Sequence, residues 1–233
     1  MLQAATGIGF GVIAGPILLV VLDGAEAFQI SIIHNLLIAV VLMPLLFRHA
    51  NRLIFRYLLI GALIGLPAGF VLQLTASIST LKMVSLAAVG FVAGTLVMDM
   101  IGKIGKSFRR PVSRTQTTMV GIVSGLMGGM LAMPGPVVAT WMSIRGRSKM
   151  EVRATILSFF VVAYGLTLLL HILFGNLTYQ TSFLSLKLAP VVLVGIVVGS
   201  YMTRFVSERS FRRILLIVLL VTMLSLIYSL LKM

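Results

Sequence analysis

The sequence contains no cysteine, one tryptophan and only 5 Asp and Glu in 233 residues. Without cysteine there is no disulfide framework, no thiol chemistry and no thiolate metal site. The apolar stretches hold no paired carboxylates. Nowhere is there a Ser–His–Asp set, an HExxH helix or a phosphate loop ending in Gly-Lys-Ser/Thr, so an enzyme is disfavoured and no cofactor or metal is expected. The 19 Lys and Arg raise the net charge to +14. The interleaved aromatics and polar grooves of nucleic-acid binders are missing, so this charge does not point to nucleic acid.

What is abundant is apolar. Hydrophobic residues make up 59% of the chain, mean hydropathy is +1.13 and runs of about 20 apolar residues recur. This composition predicts an all-α polytopic protein of the cell inner (plasma) membrane, with the lipid bilayer as its solvent. Basic residues then mark cytoplasmic loops. Residues 1–22, followed by Ala25-Glu26-Ala27, could suggest a secretory leader. They lack a basic start and carry part of a repeated motif, so they are expected to belong to the membrane body.

That motif is densest at residues 124–136, S-G-L-M-G-G-M-L-A-M-P-G-P, with four glycines and two prolines inside an apolar segment. Glycine opens backbone conformations closed to other residues, and proline removes a donor, so this run should break a helix. A second copy lies 118 positions earlier. Thr6, Gly7, Gly11, Ala14 and Pro16 fall on Ser124, Gly125, Gly129, Ala132 and Pro134, and both copies read [ST]-G-x3-G-x2-A-x-P. Broken apolar segments in matching positions of two halves are the best sequence pointer to a transport site.

Eight apolar segments follow in order: 2–22, 27–47, 53–73, 81–101, 117–143, one ending near 174, 186–201 and 214–231. Gly61, Gly65 and Gly69 recur at four-residue spacing, which lets helices approach closely in lipid. At a shift of 130, Gly65-x3-Gly69 matches Gly195-x3-Gly199, and Ser77-x2-Thr80-x-Lys82 matches Ser207-x2-Ser210-x-Arg212. The reading is a duplicated unit: residues 1–101 as the first membrane repeat, 102–116 as a basic cytoplasmic linker and 117–233 as the second repeat.

Charge decides between two arrangements. If all eight segments cross, the Lys and Arg divide 10 against 9 between the two sides. If segments one and five each enter and leave on one side, they divide 16 against 3, with Lys82, Lys187 and Lys232 alone opposite. The second arrangement obeys the positive-inside rule. Each repeat is then one re-entrant broken helix plus three spans. Three is odd, so the repeats are inverted and both termini lie outside. Length agrees if the break follows Ser124, since the eight residues from Thr117 make about 12 Å of helix.

The paired motifs, Thr6-Gly7-x3-Gly11-x4-Pro16 and Ser124-Gly125-x3-Gly129-x4-Pro134, resemble the TauE/SafE family of sulfite and organosulfonate exporters, and the resemblance extends over the whole chain. Two departures are visible. The family's triple glycine is reduced to Gly128-Gly129, or loosened to Gly7, Gly9 and Gly11, and Pro134-Gly135-Pro136 stands where one proline is usual. The resemblance implies export of a small organic or sulfur-containing anion, driven by an ion gradient.

Candidate site residues follow from the motif and from mid-span polarity. The breaks would expose amide donors suited to an anion, with Gly7, Gly11, Pro16, Gly125, Gly129 and Pro134 around them. The other reading of these glycines is tight helix packing. His34 and Asn35 lie about eight residues into a span, where polar groups are costly and default to function. His34 could meet an anion or carry the coupling ion, a proton. A plain interhelical hydrogen bond is the other reading. Ser158 matches His34 at a shift of 124, and Gln29 matches Arg153. Arg153 could attract anions at the cytoplasmic mouth or be a solvated loop charge. His171 and Trp141 read as anchors at the membrane interface. A passive anion channel and a membrane scaffold are the rival functions.

Overall fold

The structure, a computed structural model, describes residues 10–22, 25–102, 111–175, 177–202 and 208–232. Within them lie α1 (Phe10–Val21), α2 (Ala25–Leu46), a 3-10 turn (Phe47–His49), α3 (Arg52–Thr75) and α4 (Ile78–Met100). The second half supplies α5 (Arg114–Leu131), α6 (Gly135–Ile144), α7 (Lys149–Phe174), α8 (Tyr179–Met202) and α9 (Glu208–Leu231). Six helices are long and apolar enough to cross a membrane, three in each half, and α1 and α6 are shorter apolar helices. The protein is an all-helical, multi-pass membrane protein.

Polar caps set several of these starts. Asn51, Ser77 and Ser148 each accept from a backbone amide three residues on, opening α3, α4 and α7. Thr178 does the same for Thr181, so α8 begins well before residue 186, where hydropathy alone placed it.

The break in the fifth segment also differs from expectation. It falls at residues 132–134, not after Ser124. Eighteen residues of α5 precede it, about 27 Å of helix, so the half-depth estimate does not hold. The glycines do not stop the helix because α3 covers them, whereas Pro134 has no N–H to continue it. Ala132 ends α5 in the left-handed region, with φ 55°. In the first half, α1 runs through Pro16 without a break, and Gly7 lies outside the described residues.

The most extensive interface joins α3 to α5. Gly61, Gly65 and Gly69 on α3 face Gly121, Gly125 and Gly129 on α5. A Cβ on Gly65 would collide with the Ile122 carbonyl, and one on Gly129 with the Leu66 carbonyl. Around this pair, α2 packs on α7, α3 on α7, and α8 on α2. The main core runs between them through Leu66, Leu131, Met133, Ile156 and Phe159. A smaller core joins α1, α4 and α9 through Val12, Val89, Ala93 and Leu219.

Hydrogen bonds tie the helix ends into two sets. The Asn51 amide N–H donates to Thr155 Oγ1 at 2.9 Å and its Nδ2 to Glu151 Oε1 at 2.8 Å, joining the start of α3 to the start of α7. Arg145, just after α6, donates to the Pro111 carbonyl at 2.7 Å and to Gln116, joining the end of α6 to the start of α5. Elsewhere Gln29 Nε2 donates to the Gly175 carbonyl at 2.9 Å, and Lys82 Nζ to Ser229 Oγ at 2.9 Å.

Candidate functional site

The break is where the two motif copies meet. The α1 face carrying Gly11 and Gly15 lies against residues 131–133. A Cβ on Gly11 would stand 2.9 Å from the Ala132 carbonyl oxygen, 3.1 Å from Tyr164 Oη and 3.3 Å from Asn35 Nδ2. One on Gly15 would stand 3.4 Å from Met133 Cε. Glycine at position 11 therefore keeps open a point on which three polar atoms converge.

Each group is held in place. The Tyr164 hydroxyl donates to the Ala132 carbonyl at 3.1 Å, and Phe160 meets the Tyr164 ring edge-on at 5.0 Å. Ser124 donates its hydroxyl to the Pro134 carbonyl, closing the turn from within α5. Asn35 Nδ2 donates to the Ser31 carbonyl at 2.8 Å, which leaves its second N–H on the Gly11 side, while Asn35 Oδ1 has no hydrogen-bond partner in the structure. Asn35 is 0% exposed. Beyond the break, α6 begins with Gly135 and Val137 presenting N–H groups, and its N-cap is a proline with no side-chain acceptor for them.

A small cavity of about 10 Å³ sits here, lined by Gly11, Met133, Gly135, Pro136, Phe160 and Tyr164. That is room for roughly one water. Depth along the helices is central. Tyr164 lies 15 residues into the 26 of α7, and Asn35 ten residues into the 22 of α2. At the start of α3 and α7 a wider hollow of about 330 Å³ is lined by His49, Asn51, Ser148, Met150 and Glu151, with Arg147 paired to Glu151 at 3.6 Å.

The profile described as Sulfite exporter TauE/SafE matches residues 1–226. The chain belongs to the TauE/SafE family. No curated protein and no solved structure matches it. TauE/SafE proteins are membrane transporters rather than enzymes, which agrees with the six long apolar helices.

Within this TauE/SafE chain the expected site residues separate. Gly11 and Asn35 come together at the break, while Pro134, within it, packs on Gly128 and accepts from Ser124 of α5. Gly125 and Gly129 turn to α3, where Ala62, Leu66 and Phe70 meet them. His34 points away from the break: its Nδ1 lies 2.8 Å from the Ile30 carbonyl and its Nε2 3.1 Å from the Ser185 carbonyl of α8. Ser158 donates to Ala154 of its own helix at 2.9 Å. Arg153 is half-buried near the start of α7, and Pro16 is buried within α1.

Tyr164, Phe160 and Met133 were missed. A tyrosine hydroxyl in mid-span is a polar group at membrane depth and was a usable sign; nothing in sequence distinguishes Phe160 or Met133 from core. His171 is not an interface anchor. It is fully buried near the end of α7, edge-on to Phe70 at 4.9 Å and 3.5 Å from Gln29 Nε2. Trp141, by contrast, is half-buried near the end of α6 under the Arg145 guanidinium at 5.1 Å.

Proposed function

We propose that this protein exports a small organic or sulfur-containing anion, of the sulfite, sulfonate or carboxylate class, across the inner membrane by ion-coupled alternating access. The ligand sits at the break between α5 and α6, against Gly11 of α1, Asn35 of α2 and Tyr164 of α7. The observation that carries the reading is the convergence there, beside the middle of α2 and α7, of the uncapped N–H groups of α6, the second N–H of Asn35 and the Tyr164 hydroxyl, which would turn from the Ala132 carbonyl to a ligand. Helix N-termini hold anions through free amides and the dipole. Irregular backbone at membrane depth is tolerated where it is buried or lines a cavity. The cavity in this state is too small for a three-oxygen anion, so loading requires α1 or α7 to move away from the break.

The accompanying topology is two inverted repeats, 1–101 and 117–233, with basic linker 102–116 and the basic turns in the cytoplasm. Three contacts support it. The end of α6 bonds to the start of α5, as a segment entering and leaving on one side requires. The starts of α3 and α7 are bonded, so the basic turns at 48–56 and 145–153 adjoin. The packing of α3 on α7 is echoed by that of α8 on α2, the matching helices of the other half.

The test is anion flux in proteoliposomes of purified protein, with and without an imposed pH gradient. Wild type is expected to move a small anion faster with the gradient. Asn35→Ala and Tyr164→Phe should each lower that flux at least about tenfold, equivalent to about 1.4 kcal/mol of transition-state stabilisation. Selective cation flux, or no flux with any small anion, ends this reading. Anion flux indifferent to the gradient replaces it with the channel.

A further inference from the structure

The imidazole of His34 is 2% exposed and lies between two groups that can only accept. Nδ1 faces the carbonyl oxygen of Ile30, one turn back on its own helix, and Nε2 faces that of Ser185 on α8. A neutral imidazole has one N–H and one lone pair; an imidazolium has two N–H groups. The neutral ring therefore satisfies one carbonyl and turns a lone pair on the other. The charged ring satisfies both. Ile30 belongs to the same helical turn and stays near His34 whatever happens, whereas the bond to Ser185 joins segments 151 residues apart. With the neutral ring's proton on Nδ1, toward Ile30, protonation of Nε2 adds the bond to Ser185 and so changes a contact between the two halves of the sequence.

We propose that His34 is a proton-binding site that latches α8 to α2 when charged and releases it when neutral. It deepens the transport reading, on which it rests for its consequence, by naming where the coupling proton binds and which helix it acts on. The next residue, Asn35, faces the break; one residue is about 100° of helix turn, so one turn of α2 carries both positions. A proton taken up at His34 and a ligand at Asn35 would thus bias the position of the same helix.

The elements packed against α2 carry other titratable and charged groups. On α8, Lys187 stands over the Phe183 ring at 4.4 Å. On α7, Tyr164 donates to Ala132, Glu151 takes Asn51 and Arg147, and His171 stands by Gln29. Arg153 lies toward the basic end of that helix, with His49 in the turn beyond α2, and Glu26 at the start of α2 accepts from Thr181. The described residues of α1 carry no charge.

The experiment reads the ring directly, in full-length protein in lipid nanodiscs. The chain has three histidines, so nitrogen NMR of labelled imidazoles, assigned with His34→Gln, resolves the His34 ring. Between about pH 5 and 8, where histidine titrates, its signal is expected to pass from the doubly protonated form to the neutral tautomer with its proton on Nδ1, and a neutral ring protonated on Nε2 would keep the latch closed and overturn the proposal. Over the same step the hydrogen-exchange protection of α8 around Ser185, corrected for intrinsic pH dependence, should fall at least about fivefold. Glutamine keeps one amide donor and no titration, so His34→Gln should show no such step. A ring that stays in one form across this range, or an α8 step that persists in His34→Gln, overturns the proposal. If the glutamine variant fails to fold, the wild-type ring signal decides, assigned by elimination with His49→Gln and His171→Gln. Neither readout involves flux, so a switching His34 in a protein that moves no anion sinks the transport reading and leaves this one standing.

Discussion

At position 11 the side chain is a hydrogen, and three polar atoms lie within 3.3 Å of where a Cβ would stand. Gly11→Ala should cut anion flux at least about tenfold and lower stability by about 1–3 kcal/mol, because Tyr164 Oη and Asn35 Nδ2 can give way but the Ala132 carbonyl oxygen, 2.9 Å from the Cβ, is backbone. Flux at the wild-type level would remove Gly11 from the ligand path. Ala132 makes a different residue-level test. A Cβ in the left-handed region costs about 1–2 kcal/mol, which glycine avoids at a similar entropic cost. Ala132→Gly should leave stability within about 1 kcal/mol of wild type, and Ala132→Val should lower it by about 2 kcal/mol. Equal melting temperatures for the two variants would refute the left-handed cap. Asn35 and Gly11 were legible in the sequence because a mid-span amide and a repeated glycine are both conspicuous. The partner of His34 was not, since Ser185 offers a backbone carbonyl, and every residue has one.

At the scale of elements, one sign was read with the wrong emphasis. Glycine at four-residue spacing marks either a helix that must end or a helix that another must approach, and the letters are identical in the two cases. On α5 the second use wins at Gly125 and Gly129, and the break waits for Pro134. It follows that Gly129→Ala drives a methyl group into the Leu66 carbonyl and the Phe70 amide of α3. Backbone has no rotamer with which to yield, so a loss of about 2–3 kcal/mol or more in unfolding assays is expected, with impaired insertion rather than a selective loss of transport. A Gly129→Ala protein as stable as wild type would show that α3 and α5 are not in this register. The continuity of α1 through Pro16 could not be seen from the repeat, because a copy of a motif fixes residue types and not the neighbours that decide whether a proline bends a helix or ends it.

At the scale of the whole molecule, six helices long and apolar enough to span were legible from hydropathy. The partners of each helix were not, because lipid and protein offer an apolar side chain nearly the same surroundings. The arrangement predicts how the faces are exposed. Since the chain has no native cysteine, Ser107→Cys and Met150→Cys should both react with a membrane-impermeant thiol reagent only from the cytoplasmic side, and Tyr179→Cys only from the other. Reaction of residues 107 and 150 from opposite sides would restore eight crossings. The α3–α5 glycine contact carries a last consequence, which concerns mechanics. Backbone laid against backbone leaves no side chains to slide over one another, so these two helices must travel as one spar, although one comes from each half of the sequence. In the alternating access proposed above, the moving bodies are therefore not the two sequence halves. The line along which it flexes runs around the spar, between it and the neighbouring helices that meet it through yielding side chains.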